Sequence, residues 1–444
     1  MAESTTRKQK MRRVLIVTGG FPPSMAAEIH RARMLSYELP SMGWEVEILT
    51  LSPDYLPSVW IEPDSLVFRD KRVPVHESPS RFEAVFQAMR WRSVGLRAFW
   101  PVYRTGLDIL KKGNVDMIFI STTLFHFFCL GRMWKRKTGI PYVCDYHDPW
   151  YRKPHYSGTK LRNWKSYAFA KLAKHLEKFA LKHADGIVAV SPVYLDQLRF
   201  RYSQFRCVRT ERSLVIPFGA AEQDFVIARA TSDQPKRNDP GMVNIVYVGA
   251  GGSIMCESFR RVCQGLARLK RQYPPFFEKI QLCLFGTSAF WQSGDPLELQ
   301  ALAESEGVGE LVEERPARIS YLKAVKLALQ ADGLLILGVD DPAYMPSKLF
   351  LYAMTGKPLL ASMHKESQVN DYFKRFPELG AIIHFAGSAE REVAEDKVLL
   401  EFLKQAADCK TFTRENIRTE FSAAAMARRH VELFERCISK KTEI

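Results

Sequence analysis

Short apolar runs recur along the chain, each closed by glycine or a polar turn, and most are followed by a segment of helical periodicity. In the first half they include Val14–Val17, Gly43–Thr50, Val115–Ser121, Pro141–Tyr146, Ile187–Val190 and Val215–Ala220. In the second half they are Asn244–Val248, Gln281–Phe285 and Gly333–Val339. Helical patterns cover Ala26–Leu39, Glu257–Gln272, Ile319–Ala331 and Glu415–Ile438. Runs with little alternation belong to strands buried on both faces, so the pattern predicts an α/β chain with parallel sheets. The longest run, Met117 to Gly131, is about 15 residues and contains Ser121, Thr122, Thr123 and His126. A bilayer span needs roughly 20 apolar residues, so this run reads as a strand followed by a buried helix.

A chain of 444 residues exceeds one ordinary core and predicts two domains. Residues 229–241 have linker composition, which sets a boundary near residue 222. The expected parts are residues 1–222, 223–414 and a terminal helical piece, 415–444. Eight cysteines show no CxxC spacing and several lie in apolar segments, as expected of reduced core thiols rather than zinc ligands. The polar, basic residues 1–13 run straight into Val14–Val17, too short for a signal-peptide core, so a cytoplasmic protein is expected.

The chemistry gathers after the strand Gly333–Val339. Asp340 and Asp341 follow it, then two prolines, then Ser347-Lys348 opening a short helix that ends at Gly356. A helix start at a strand's C-terminal edge offers free N–H groups, and Lys348 adds a cation, which suits a phosphate. A capped surface lysine is the competing reading. Asp340 and Asp341 either bond sugar hydroxyls or cap the turn. The loop Gly249-Ala250-Gly251-Gly252-Ser253 has the composition of a phosphate nest, or of a tight turn. His147 and Asp148 stand at the end of Pro141–Tyr146, where open α/β sheets place ligands. Gly19-Gly20 is not part of a GxGxxG motif, which argues against a dinucleotide enzyme and against a nucleotide-sugar epimerase of that type.

The segment Ser347-Lys348-Leu349-Phe350-x-Tyr352-x-x-x-Gly356-Lys357-Pro358 resembles the donor-binding segment of family 4 retaining glycosyltransferases of the GT-B type. Asp145-Tyr146-His147-Asp148-Pro149-Trp150 is similar to that family's segment beside the reacting sugar. The resemblance implies two Rossmann-like domains facing each other across a cleft, with a C-terminal helix crossing back to the first. It implies that His147, Asp148 and Lys348 serve transfer. The donor would meet Gly249, Gly251, Gly252, Ser253, Gly286, Thr287, Tyr321, Asp340, Asp341, Ser347 and Lys348. Gly19, Gly20, Glu28, His30 and Arg31 would face the acceptor, unless the last three form only a solvated first turn. The sequence departs from the family where Leu351 and Ala343 replace two glutamates, and where Ala250 and Cys256 replace two basic residues. No Asp-x-Asp signature stands in a metal-binding context, and neither a metal nor another cofactor is expected.

Net charge is +15 with a pI near 9.4, and no nucleic-acid-binding module is recognisable, so no nucleic-acid partner is expected. The charge concentrates in two stretches. Residues 81–112 carry seven Arg/Lys among large aromatics, and residues 151–183 carry nine Arg/Lys against one acid, Glu177. Either these stretches lie on an anionic membrane surface, or the aromatics of the first are core. The expected function is transfer of a sugar from a nucleotide-diphosphate donor to a lipid-linked or polysaccharide acceptor by a peripheral membrane protein. The alternative is a catalytically degenerate protein that keeps the fold as a binding or scaffolding partner.

Overall fold

The computed structural model describes residues 11–80, 93–151, 164–231, 241–288 and 290–439. Part of each basic stretch (81–92 and 152–163), most of the linker-like segment and residues 1–10 lie outside them. The chain divides into two compact units. The first comprises residues 1–57, 69–216 and 426–444, and the second residues 58–68 and 217–425.

The first unit holds β1 (Arg12–Val17), β2 (Trp44–Leu51), β3 (Val75–Ser78), β4 (Met117–Ser121), β5 (Tyr142–Tyr146), β6 (Gly186–Ala189) and β7 (Ser213–Val215). They form one parallel sheet in the order β3-β2-β1-β4-β5-β6-β7. Val14 to Val17 and Met117 to Ile120 are fully buried, as strands covered by helices on both faces must be. The order reverses between β1 and β4, which end side by side, the position at which open α/β sheets bind ligands.

The second unit holds β8 (Val243–Val248), β9 (Ile280–Ser288), β10 (Val312–Ala317), β11 (Gly333–Leu337), β12 (Leu359–His364) and β13 (Ala381–Phe385). This sheet is also parallel, in the order β10-β9-β8-β11-β12-β13, and reverses between β8 and β11. Strand β9 runs on through Gly286 and Thr287 instead of ending before them, with a register shift opposite Arg315–Ala317.

The periodic segment Glu415–Ile438 is two helices, Glu415–Phe421 and Ala423–Ser439, not one. At Ser422 the backbone is extended and bridges to Ala220, whose N–H donates to the Phe421 carbonyl and whose carbonyl accepts from Ala423. Those bonds replace helical ones at the break. They also leave Phe421 stacked on Phe350, with centroids 3.8 Å apart. The last turns belong to the first unit, where buried Phe434 packs between Trp44 and Phe119.

Candidate active site

In the second unit the loop after β8 lies at the strand-order reversal. Gly249 has φ +136° and Gly252 φ +68°, conformations that side chains with a Cβ rarely adopt. A Cβ on Gly249 would overlie the Lys348 ammonium, and one on Gly251 would strike Thr287. Small residues therefore let the loop approach both β9 and the lysine. Lys348 Nζ donates to the Val248 carbonyl and lies 4.7 Å from the centroid of the Tyr247 ring. Burial lowers its pKa to about 8. The Tyr352 hydroxyl accepts from the Val248 N–H at 3.1 Å and steadies the same strand end. Helix Leu349–Met354 is only six residues long, so Lys348, at its N-cap, is the main source of positive charge rather than the helix dipole.

Other expected donor contacts are spread around this centre. Asp341 accepts from the Ala343 N–H at 2.9 Å, which makes it a turn cap, while exposed Asp340 lies 3.6 Å from His364. Ser253 is exposed and Ser347 half-buried. The Thr287 hydroxyl is not turned to a ligand: it donates to buried Glu314, whose other oxygen accepts from the Leu299 and Gln300 N–H groups at 2.9 Å. Thr287 supports the loop instead, its carbonyl accepting from Gly251 N–H at 2.8 Å. The Tyr321 side chain is likewise engaged within the unit. Its hydroxyl donates to Asp224 at 2.7 Å, its ring packs on Phe68, and its N–H donates to Glu62 at 2.7 Å. Glu62 also accepts from Arg318 at 2.8 Å. Ser58–Phe68, within the stretch 1–222 expected to form the first domain, cluster with this unit instead.

In the first unit, Gly19 and Gly20 follow β1 and Thr122-Thr123 follow β4. Glu28 joins them: its carboxylate accepts from the Thr122 hydroxyl at 3.2 Å and from the N–H and hydroxyl of Thr123. A Cβ on Gly19 would overlap the other Glu28 oxygen. His30 is half-buried beside Arg33. Arg31 corrects the expectation that it faces an acceptor. It is fully buried, with Nε 2.8 Å from Asp145 Oδ2 and Nη2 donating to the Ile216 carbonyl at 2.6 Å. His147 Nε2 lies 2.6 Å from the same Asp145 oxygen, to which Ser121 donates at 2.8 Å. Burial alone would raise the Asp145 carboxyl; Arg31, then His147, outweigh it and hold it well below the usual carboxylate range. Asp148 is half-buried, and Trp150 stacks on Phe125. Asp145 was not among the expected site residues. Its spacing of two from His147 at a strand end, which puts both on one side of extended chain, was the available signal.

The described basic surface is uneven. Helix Phe99–Lys111 buries Val102, Gly106, Ile109 and Leu110, with Gly106 against Trp134, and leaves Trp100 exposed. Helix Trp164–Leu181 exposes Tyr167, Phe169 (70%) and Leu172 among exposed Lys171, Lys174 and Lys178. Among the described residues no helix is long and apolar enough to cross a membrane. No group of three or more His, Cys, Asp or Glu among them is placed to hold a metal ion.

Residues 29–219 match the Glycosyl transferase 4-like domain. No curated protein sequence matches the chain. Among solved structures it resembles HepE of Anabaena in complex with UDP and glucose, with TM-score 0.59 and 13% identity over 95% of this chain and 98% of that one. It also resembles a UDP-forming α,α-trehalose-phosphate synthase from Burkholderia xenovorans, with TM-score 0.57 and 11% identity over 96% and 99%. A proposed UDP-N-acetylglucosamine 2-epimerase from Listeria monocytogenes follows, with TM-score 0.52 and 11% identity over 96% and 97%. These likenesses establish the two-domain α/β GT-B fold. The matched transferase domain is what points to glycosyl transfer.

Proposed function

We propose that this chain, a GT-B glycosyltransferase whose residues 29–219 carry a glycosyl transferase 4-like domain, moves a sugar from a UDP-sugar to a lipid-linked or polysaccharide acceptor, with retention. One observation carries the donor assignment: the Lys348 ammonium is enclosed against a glycine loop at the strand-order reversal of the second sheet. A cation there opposes the charge that builds on a departing diphosphate. UDP is chosen because HepE and the trehalose-phosphate synthase are described with UDP or as forming it.

In the proposed step the acceptor hydroxyl oxygen bonds to the anomeric carbon as the bond to the diphosphate oxygen breaks. The diphosphate keeps the electron pair and its leaving oxygen takes the hydroxyl proton. Lys348 stabilises that leaving group, while His147 and Asp148 orient the sugar or acceptor. Gly19, Gly20, Glu28 and His30 form the acceptor side, and Gly251, Gly252, Ser253, Ser347 and Asp340 the rest of the donor site. The protein works from the cytoplasmic face as a peripheral membrane protein, with helix Trp164–Leu181 turned to anionic lipid. Basic side chains among exposed aromatics support that placement.

A panel of nucleotide sugars tests the reading through thermal shift and nucleotide release. A ligand at 100 times its Kd stabilises by about 2.7 kcal/mol, which a melting curve resolves. Stabilisation and UDP release with one donor supports transfer. Leu351 and Ala343, in place of two family glutamates, favour the non-catalytic scaffold as second reading, and it predicts neither response.

A further inference from the structure

Resting on the reading of His147 as a group beside the transferred sugar, we propose that Asp145, backed by Arg31 and Ser121, is a positioning residue that sets the tautomer and direction of the His147 ring. Three groups meet one carboxylate oxygen: Ser121 Oγ at 2.8 Å, Arg31 Nε at 2.8 Å and His147 Nε2 at 2.6 Å. An ionised carboxylate only accepts, so the nitrogen facing it must carry a proton. The ring is therefore the Nε2–H tautomer when neutral.

The counter-charge sets this arrangement apart from a simple Asp–His pair. Arg31 is fully buried and anchored through Nη2 to the Ile216 carbonyl at 2.6 Å, so a fixed guanidinium stands against Asp145. His430 also neighbours Asp145, but burial brings its pKa down to about 3 and its Nδ1 lies 2.7 Å from the Met426 carbonyl, so it stays neutral. Asp145 is thus held from behind and presents one fixed lone pair to His147. Orientation of this kind acts on the transfer step rather than on donor binding.

The test is long-range ¹H–¹⁵N correlation of the imidazoles in the ¹⁵N-labelled full chain, with His147→Gln assigning the signal. The proposal expects a protonated Nε2 and an unprotonated Nδ1; a wild-type ring protonated only on Nδ1 overturns it, whatever any variant does. Asp145→Asn alone leaves Arg31 as a lone buried charge, so it is combined with Arg31→Met. That double variant should mix or reverse the tautomer and lower kcat roughly 10- to 100-fold with the donor Kd unchanged. An unchanged His147 signal with unchanged kcat overturns the proposal. If the double variant does not fold, Ser121→Ala serves, with a smaller kcat loss at constant donor Kd expected and none overturning the idea. His147→Ala with full activity would instead sink the functional reading of His147, while the tautomer measurement would still stand.

Discussion

Lys348 sits with its ammonium between the Val248 carbonyl and the Tyr247 ring, and burial lowers its pKa to about 8. In the donor-free protein the charge is therefore lost as pH rises through about 8, whereas a bound diphosphate favours the protonated form. Donor affinity should fall about tenfold per pH unit above that point, with proton uptake on binding, both readable by calorimetry in buffers of different ionisation enthalpy. The stability effect has the opposite sign. Between about 8 and the ordinary value of 10.5 the unfolded chain holds more protons on this lysine, so its contribution to stability rises with pH. Lys348→Met keeps the apolar stem and removes the buried charge. It should cost roughly 10- to 100-fold in donor affinity without lowering Tm; full affinity would refute the donor assignment. Gly249→Ala should cost about 1–3 kcal/mol in denaturant titration and weaken donor binding too, because φ is +136° and the new methyl overlies the ammonium.

At the scale of elements, helix Trp164–Leu181 shows where periodicity misleads. Leu172 and Phe179 fall on an apolar stripe in the sequence, yet both are exposed, and Arg132 lies over the Phe179 ring at 4.1 Å. A stripe left in water beside lysines is what a lipid-facing helix requires. Replacing Lys171, Lys174 and Lys178 by Gln should release the protein from phosphatidylserine vesicles in a flotation assay, at about 1 kcal/mol per charge. Tm should stay constant, because all three are exposed. Retained binding would end the anchoring proposal. The terminal helices make the converse point. Their apolar spacing is continuous across Ser422, and only the backbone bridge to Ala220 separates them.

Across the whole molecule, the C-terminal residues 426–444 cluster with the first unit, and Phe434 contributes a fully buried ring to its core. Phe434→Ala should cost about 3–5 kcal/mol in urea unfolding, since it leaves a cavity against Trp44 and Phe119. A loss under 1 kcal/mol would contradict the packing described. Much of this architecture was legible beforehand. The apolar runs located the central strands because parallel strands are buried on both faces, and the glycines of Gly249–Ser253 marked a loop of close backbone approach, which packs against Lys348 and Thr287. What the tertiary structure alone decided is which polar groups satisfy one another. Arg31 was expected to face the acceptor or to lie in a solvated first turn, Tyr321 to touch the base and Thr287 the nucleotide, but each side chain is bound to a carboxylate inside its own unit. Hydrophobic burial is non-directional and written in nearest-neighbour spacing, whereas a buried charge or hydroxyl needs one partner at one distance, and the fold brings that partner from elsewhere in the chain.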